Sequence, residues 1–213
     1  MTQINASDFG VKNQQDITEN LINLLSYIKT VDGEKTITFE NGTYYIDSEK
    51  CIKQVLYITN TTGDEEYAKH EIPHLNTIAF YLKDISDLTI DGNNSVFIID
   101  GKVTNVALIN SQNIVIKNLE IRHAHPDMHE LKVVRKSLFS VDFEIDKDSL
   151  YEFQKGKMYF YGKDYHVSAD KDARFSWWIG LIRKETPNKV KRVTHPLATK
   201  LKINDLDNRK IRV

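Results

Sequence analysis

Pairs of apolar residues at alternate positions recur along the chain from residue 78 to residue 121. Between them stand residues that favour tight or left-handed turns, such as Asn94, Asn110 and Asn118. Strands this short, spaced roughly 8–10 residues apart, fit a sandwich, a barrel or a coil of parallel strands. The pairs are Ile78/Phe80, Leu88/Ile90, Val96/Ile98, Val106/Leu108, Ile114/Ile116 and Leu119/Ile121.

An internal register favours the coil over the other two folds. Displacing the chain by 26 residues lays 87–92 on 113–118, so that the apolar positions coincide and Gly92 falls on Asn118. Both residue types tolerate positive φ, which predicts a left-handed turn at each. A repeat of roughly 20–30 residues with short strands is typical of a β-helix, in which each coil buries its inward side chains against the next. Leu88 should therefore lie beside Ile114, and Ile90 beside Ile116.

One amphipathic helix precedes these strands. Asp16 is predicted as its N-cap, with Glu19 completing a capping box, and Asp32-Gly33 supplies the stop. Because the end of a β-helix exposes unpaired backbone, we expect the apolar face of the helix to cover the N-terminal end of the stack. That face is formed by Ile17, Leu21, Leu24, Leu25 and Ile28.

The character of the sequence changes near residue 130, where an acidic excess gives way to a basic one. Segments 139–146 and 157–162 are longer, and polar turns join them. The alternation of apolar and polar residues in the first is typical of antiparallel hairpins. The sequence therefore predicts a cap and first coils over 1–130, and an antiparallel β-module over 131–213 that ends within a hairpin and is expected to be incomplete.

Several further motifs stand out along the first half of the chain: Asp8-Phe9-Gly10, Asp16-Ile17-Thr18, the strand 37–45 with Tyr44, Tyr57–Asn60, 78–82, 88–98, and 113–121 followed by Pro126. Together they resemble motifs of the bacterial α-1,3-galactosidases, a glycoside hydrolase family with a pectin-lyase-like β-helix. The resemblance covers about residues 5–135, with Glu40 in place of a usual proline and Asp100-Gly101 where the family commonly has His-Gly.

The resemblance implies an all-β protein: a right-handed parallel β-helix with one N-terminal capping helix and an inserted β-module. It further implies an inverting hydrolase that acts on α-linked galactosides, with galactose-containing oligo- or polysaccharides as partners. The acidic residues of catalysis lie on later coils in that family, so they are expected beyond Val213, and this chain alone is expected to be inactive. The alternative is a non-catalytic β-helix that binds polysaccharide or belongs to a surface or phage structure.

Four residues are candidates for substrate contact. His125, Asp127 and Glu130 belong to a dense polar cluster, which also reads as a solvated turn, and Trp177 could stack on a sugar ring or pack in a core. The pair His123 and His125 would permit a metal, but no known metal signature matches, so no metal is predicted. Asp127 and Glu130 are a carboxylate pair by position only.

Other features exclude several classes of function. Cys51 is the single cysteine, so no internal disulfide can form, and phosphate-binding loops are absent, so no cofactor is expected. A net charge of −1 argues against nucleic acid as a partner. No membrane-spanning run or signal peptide is visible, which leaves localisation open: cytoplasmic as it stands, exported if the N-terminus is truncated. An exposed β edge would permit self-association.

Overall fold

The computed structural model describes residues 1–56, 75–126, 129–168 and 203–213, together with short strands between residues 178 and 198. The chain divides into two compact units, Met1–Ala124 and His125–Val213. The charge pattern had placed this division near residue 130. Strands dominate the described residues of both units, which contain one α-helix, so the protein is of the all-β class. Among the described residues, no helix has both the length and the apolar character needed to cross a bilayer.

Over residues 1–56 and 75–124, the first unit has a short 3₁₀ helix, Ala6–Phe9, and an α-helix, α1, Thr18–Ile28. Its strands are β1 (Thr2–Asn5), β2 (Lys35–Thr38), β3 (Thr43–Asp47), β4 (Ile52–Val55), β5 (Leu75–Lys83), β6 (Ser86–Asp100), β7 (Thr104–Ile109) and β8 (Gln112–His123).

Parallel pairing organises this unit. β6 pairs in parallel with β2 and β3 on one side and with β8 on the other, and β5 pairs in parallel with β7. The predicted register is confirmed, since Leu88 pairs with Ile114 and Ile90 with Ile116. β5 and β7 show the same displacement, with Ile78 opposite Thr104. One pair departs from the pattern: β4 lies antiparallel to β5.

Gly92 does not have the left-handed conformation that its alignment with Asn118 predicts. Asn118 has the expected positive φ of 55°, but the left-handed residues at the corresponding turn within β6 are Asn93 and Asn94, with φ of 48° and 61°. The β6–β8 register shifts between Asp91 and Ser95, so these two asparagines form an extra step in the turn. Gly92 is required for space, because a side chain there would meet Leu119 and the carbonyl oxygen of Asn118.

The apolar face of α1 is buried as predicted, and α1 contacts β3 and β5. The capping prediction is displaced by one residue: Ile17 occupies the N-cap position and has no capping side chain. Asp16 still serves the helix start, since its Oδ1 accepts hydrogen bonds from the Thr18 amide at 3.0 Å and the Thr18 hydroxyl at 2.6 Å. The helix shares one core with Leu88, Ile90 and the buried Cys51.

The second unit is antiparallel wherever its strands pair. Lys210–Arg212 pairs on both edges, with Val141–Ile145 and Asn204–Asp205. The strands are β9 (Leu131–Lys136), β10 (Val141–Ile145), β11 (Leu150–Gln154), β12 (Lys157–Tyr161), β13 (His166–Ser168), β14 (Trp178–Ile179), β15 (Ile182–Thr186), β16 (Lys189–Arg192), β17 (Leu197–Ala198), β18 (Asn204–Asp205) and β19 (Lys210–Arg212).

Candidate functional site

The structure describes two of the four residues predicted for substrate contact, His125 and Glu130. His125 lies in the second unit, where its Nδ1 is 3.4 Å from the carbonyl oxygen of Asp148. Glu130 is exposed, and its carbonyl oxygen accepts a hydrogen bond from the Asp146 amide. Asp127 and Trp177 lie outside the described residues. Among the residues that the structure does describe, no three His, Cys, Asp or Glu side chains group as metal ligands.

Aromatic packing anchors the polar segment around residue 129 to the module. The His129 ring stacks on Phe160 with centroids 3.9 Å apart, and its Nδ1 lies 2.9 Å from the Ser149 hydroxyl. The Tyr165 hydroxyl donates to the carbonyl oxygen of Pro126. These contacts give His129 and Pro126 a structural role that the sequence pattern did not reveal.

A polar cavity of about 430 Å³ lies in the first unit, beside two neighbouring turns that are 26 residues apart in sequence. One turn joins β5 to β6 and the other joins β7 to β8. Asp84 and Asn110 occupy equivalent positions in them, and both are left-handed, with φ of 55° and 47°. The lining residues are Asp84, Ser86, Asn110, Ser111 and Gln112.

A second cavity of about 300 Å³ lies beside β6 and β8, the two strands that follow these turns. Its lining includes Thr89, together with Asp87 and Asn113, which follow Ser86 and Gln112 of the first cavity in sequence. The remaining lining residues are Met1, Glu34 and Lys35.

Hydrogen bonds between side chains hold an aspartate of each cavity in place. The Asn110 amide donates to Asp84 Oδ1 at 2.6 Å, and the Asn113 amide donates to Asp87 Oδ1 at 2.7 Å. Each bond joins residues 26 apart, the displacement of the apolar ladder. That displacement is the sequence signal that could have found the cavities. Carboxylates fixed in this way present acceptor oxygens to a ligand that carries hydroxyl groups.

Three carboxyl groups of the first unit have pKa values below the ordinary range, so none of them is a candidate proton donor. Hydrogen bonds from Asn118 and Arg122 lower the pKa of Asp91 and of Glu120, respectively. Burial acts to raise the pKa of Asp16, but hydrogen bonds from Lys50 and Thr18 outweigh it and lower that pKa. An inverting glycosidase needs one carboxyl group with a raised pKa as general acid. These three carboxyl groups therefore do not meet that requirement.

Comparison with known proteins identifies several relatives, although no family model matches the chain. Alpha-1,3-galactosidase A of Bacteroides fragilis is 30% identical over 131 residues, which is 62% of this chain and 21% of the relative. Alpha-1,3-galactosidase A of Bacteroides thetaiotaomicron is 27% identical over 151 residues, which is 67% of this chain and 25% of the relative. Alpha-1,3-galactosidase B of Akkermansia muciniphila is 24% identical over 189 residues, which is 86% of this chain and 22% of the relative.

The chain thus spans about a fifth to a quarter of the length of these relatives. The sequence identities are low, but each of these relatives, from several bacteria, is an alpha-1,3-galactosidase A or B. The chain is therefore a distant relative of the α-1,3-galactosidases, related to them over part of its length.

Proposed function

We propose that this chain is the N-terminal portion of a glycoside hydrolase that acts on α-linked galactosides. In this proposal the first unit supplies the opening coils of a right-handed parallel β-helix. The observation that carries the proposal is the displacement of 26 residues that the parallel pair β5–β7 shares with the first part of the pair β6–β8, from Ser86 to Asp91. Strands that repeat with one displacement on two faces support a coil in which each turn lies on the one before.

The right-handedness of the proposed β-helix follows from a general property of the polypeptide backbone. Connections between parallel strands of one sheet are right-handed in nearly all proteins, because the strands themselves have a right-handed twist. The connection from β2 to β6 and the connection from β6 to β8 are of this kind, since both pairs are parallel.

The two cavities are the sites that we assign to sugar contact. A galactoside is a neutral ligand rich in hydroxyl groups, and such a ligand needs paired donors and acceptors rather than a strong charge. The Asp84–Asn110 and Asp87–Asn113 pairs supply both at fixed positions. The names of the relatives support galactose as the sugar.

Calorimetric titration with α-1,3-galactobiose tests this assignment. Replacing Asn110 or Asn113 by Gly removes the amide while keeping a residue that tolerates the left-handed turn. We expect each variant to bind about tenfold more weakly, because an acceptor that was held in place is released. Asn118→Gly is the matched control: Asn118 makes the same kind of bond, to Asp91 at 3.0 Å, but lines neither cavity. Equal affinities for all three variants and the parent would contradict the assignment.

A non-catalytic role for this portion is the second candidate, and it is favoured by the asparagine amides that already engage the carboxylates of Asp84 and Asp87 at the two cavities. Release of free galactose from the same disaccharide distinguishes the two roles. Binding without release would support a portion that holds substrate. Turnover by this chain would show that an acid and a base lie within it.

A further inference from the structure

The sheet formed by β11, β12 and β13 has two chemically different faces. On β12, Met158 and Phe160 are buried in the core of the second unit, whereas the alternate residues Tyr159 and Tyr161 are partly exposed. Tyr159 lies directly opposite Glu152 on β11, and Tyr161 lies opposite His166 on β13. The pleat of the strands therefore places these four side chains on one outer face.

Contacts among these side chains fix their positions. Glu152 Oε1 lies 2.8 Å from His166 Nε2 and accepts a hydrogen bond from the Gln154 amide at 2.6 Å. The His166 ring lies flat on the Tyr159 ring, with centroids 4.7 Å apart and planes 15° apart, and it is 6.4 Å from the Tyr161 ring. Long side chains held in this way lose little freedom when a ligand binds.

Several polar atoms on the same face are available to form hydrogen bonds with a ligand. Among the described residues, Glu152 Oε2 and the hydroxyls of Tyr159 and Tyr161 take part in no hydrogen bond, while Glu152 Oε1 already has two neighbours. The side chains of His166 and Glu152 are 48% and 37% exposed. A carboxylate oxygen and two phenol hydroxyls are thus open to a ligand beside aromatic rings.

We propose that Glu152, Gln154, Tyr159, Tyr161 and His166 form a sugar-binding face on the β-module, distinct from the cavities of the first unit. The ligand class is a neutral pyranose, and its identity as a galactoside rests on the proposed function. The C–H side of the pyranose ring packs against the aromatic rings, and two neighbouring hydroxyls donate to Glu152 Oε2. The negative charge of Glu152 disfavours an anionic sugar.

The test is titration of the whole chain with methyl α-galactoside, in which stoichiometry and affinity are both measured. The parent chain should bind at more than one site. Glu152→Gln removes the charge at nearly constant shape, and Tyr161→Ala removes an aromatic ring; each should weaken the module site by at least about tenfold. Tyr45→Phe is the control, an exposed tyrosine of the first unit whose hydroxyl donates to Gln14.

Three results support the inference: loss of one site in Glu152→Gln, loss of the same site in Tyr161→Ala, and its retention in Asn110→Gly. The inference is overturned if Glu152→Gln and Tyr161→Ala bind as the parent does, or if the folded parent binds no galactoside. The effect of Asn110→Gly judges the proposed function separately, because that residue belongs to a cavity of the other unit.

Discussion

Ile90 and Ile116 lie side by side across the parallel ladder between β6 and β8. Ile90 is fully buried, and Ile116 packs against the same core from the neighbouring strand. Ile90 on β6 is therefore packed beside the residue that stands 26 positions later on β8. This stacking makes the register of the ladder a property of the core, because a slip by one residue would turn polar side chains inward.

Replacing Ile90 by Ala should lower the free energy of unfolding by about 2–5 kcal/mol, through lost burial and the cavity that remains. Urea denaturation of the two proteins measures this difference. Val115→Ala is the control, because Val115 lies on β8 but is 48% exposed. A loss below about 1 kcal/mol for Ile90→Ala would mean that the ladder is not a tightly packed core.

Gly92→Ala should also destabilise the first unit, by about 1–3 kcal/mol, because the added methyl group would overpack the contact between two coils. The carbonyl oxygen of Asn118 would be 2.7 Å from the new Cβ, and neither it nor Leu119 can move without disturbing β8. Thermal unfolding measures the change. Gly33→Ala separates backbone strain from crowding, since Gly33 has a positive φ and a methyl group added there would meet no atom within 4 Å. A Gly92→Ala protein as stable as the parent would show that β6 and β8 can move apart at this point without loss of stability.

The periodicity of the apolar residues was sufficient to predict the parallel register, because inward positions of successive coils must match to be buried together. It could not predict the extra step at Asn93 and Asn94, since two additional residues in a turn do not alter the apolar pattern on either side. It also assigned Gly92 a left-handed conformation, because sequence does not distinguish a glycine needed for its backbone from one needed for space.

The candidate site was harder to predict than the fold. Asp84 and Asn110 are 26 residues apart, so the repeat contained the information, but the repeat predicted contacts for apolar positions only. The cluster at 123–130 was a candidate because its polar residues are close in sequence. In the structure, His129 is instead held by Phe160, a contact between residues distant in sequence that no local pattern reveals.

Asp16 should contribute to the start of α1 although it precedes the N-cap. Asp16→Ala removes the acceptor of two hydrogen bonds from Thr18 and the partner of Lys50 at 2.6 Å, so we expect a loss of about 1 kcal/mol. Hydrogen exchange along Thr18–Ile28 should become faster in the first turn. Asp16→Asn keeps a side-chain oxygen and should retain most of the protection. Unchanged exchange in Asp16→Ala would assign the helix start to packing alone.

The outer edge of β8 should allow association between copies of the chain. Within the described residues β8 pairs only with β6, so its other edge presents unpaired backbone groups. Val115→Lys adds a charge at an exposed position of this strand, and we expect it to reduce any concentration-dependent increase in mass. Sedimentation at several concentrations measures this effect. A parent chain that stays monomeric at high concentration would contradict the expectation.

Asp142 and Arg212 should make the second unit sensitive to acid. They are opposite each other on β10 and β19, and the guanidinium donates two hydrogen bonds to the carboxylate, at 2.7 and 2.9 Å. These bonds lower the pKa of Asp142 below its ordinary value. Because the folded pKa is lower than the unfolded one, the pair stabilises the fold above the unfolded pKa of about 3.9. That contribution is lost as the pH falls through the lower, folded pKa.

Urea unfolding at several pH values between about 7 and 3 tests this prediction, with Asp142→Asn compared with the parent. Other carboxylates also lose their partners in acid, so the informative quantity is the difference between the two proteins. That difference should be constant near neutral pH and should shrink below about pH 4. Glu120→Gln is the control, because Glu120 pairs with Arg122 at an exposed position of the first unit, where solvent screens the interaction. A difference that does not depend on pH would show that Asp142 stabilises β10 by packing and not by its charge.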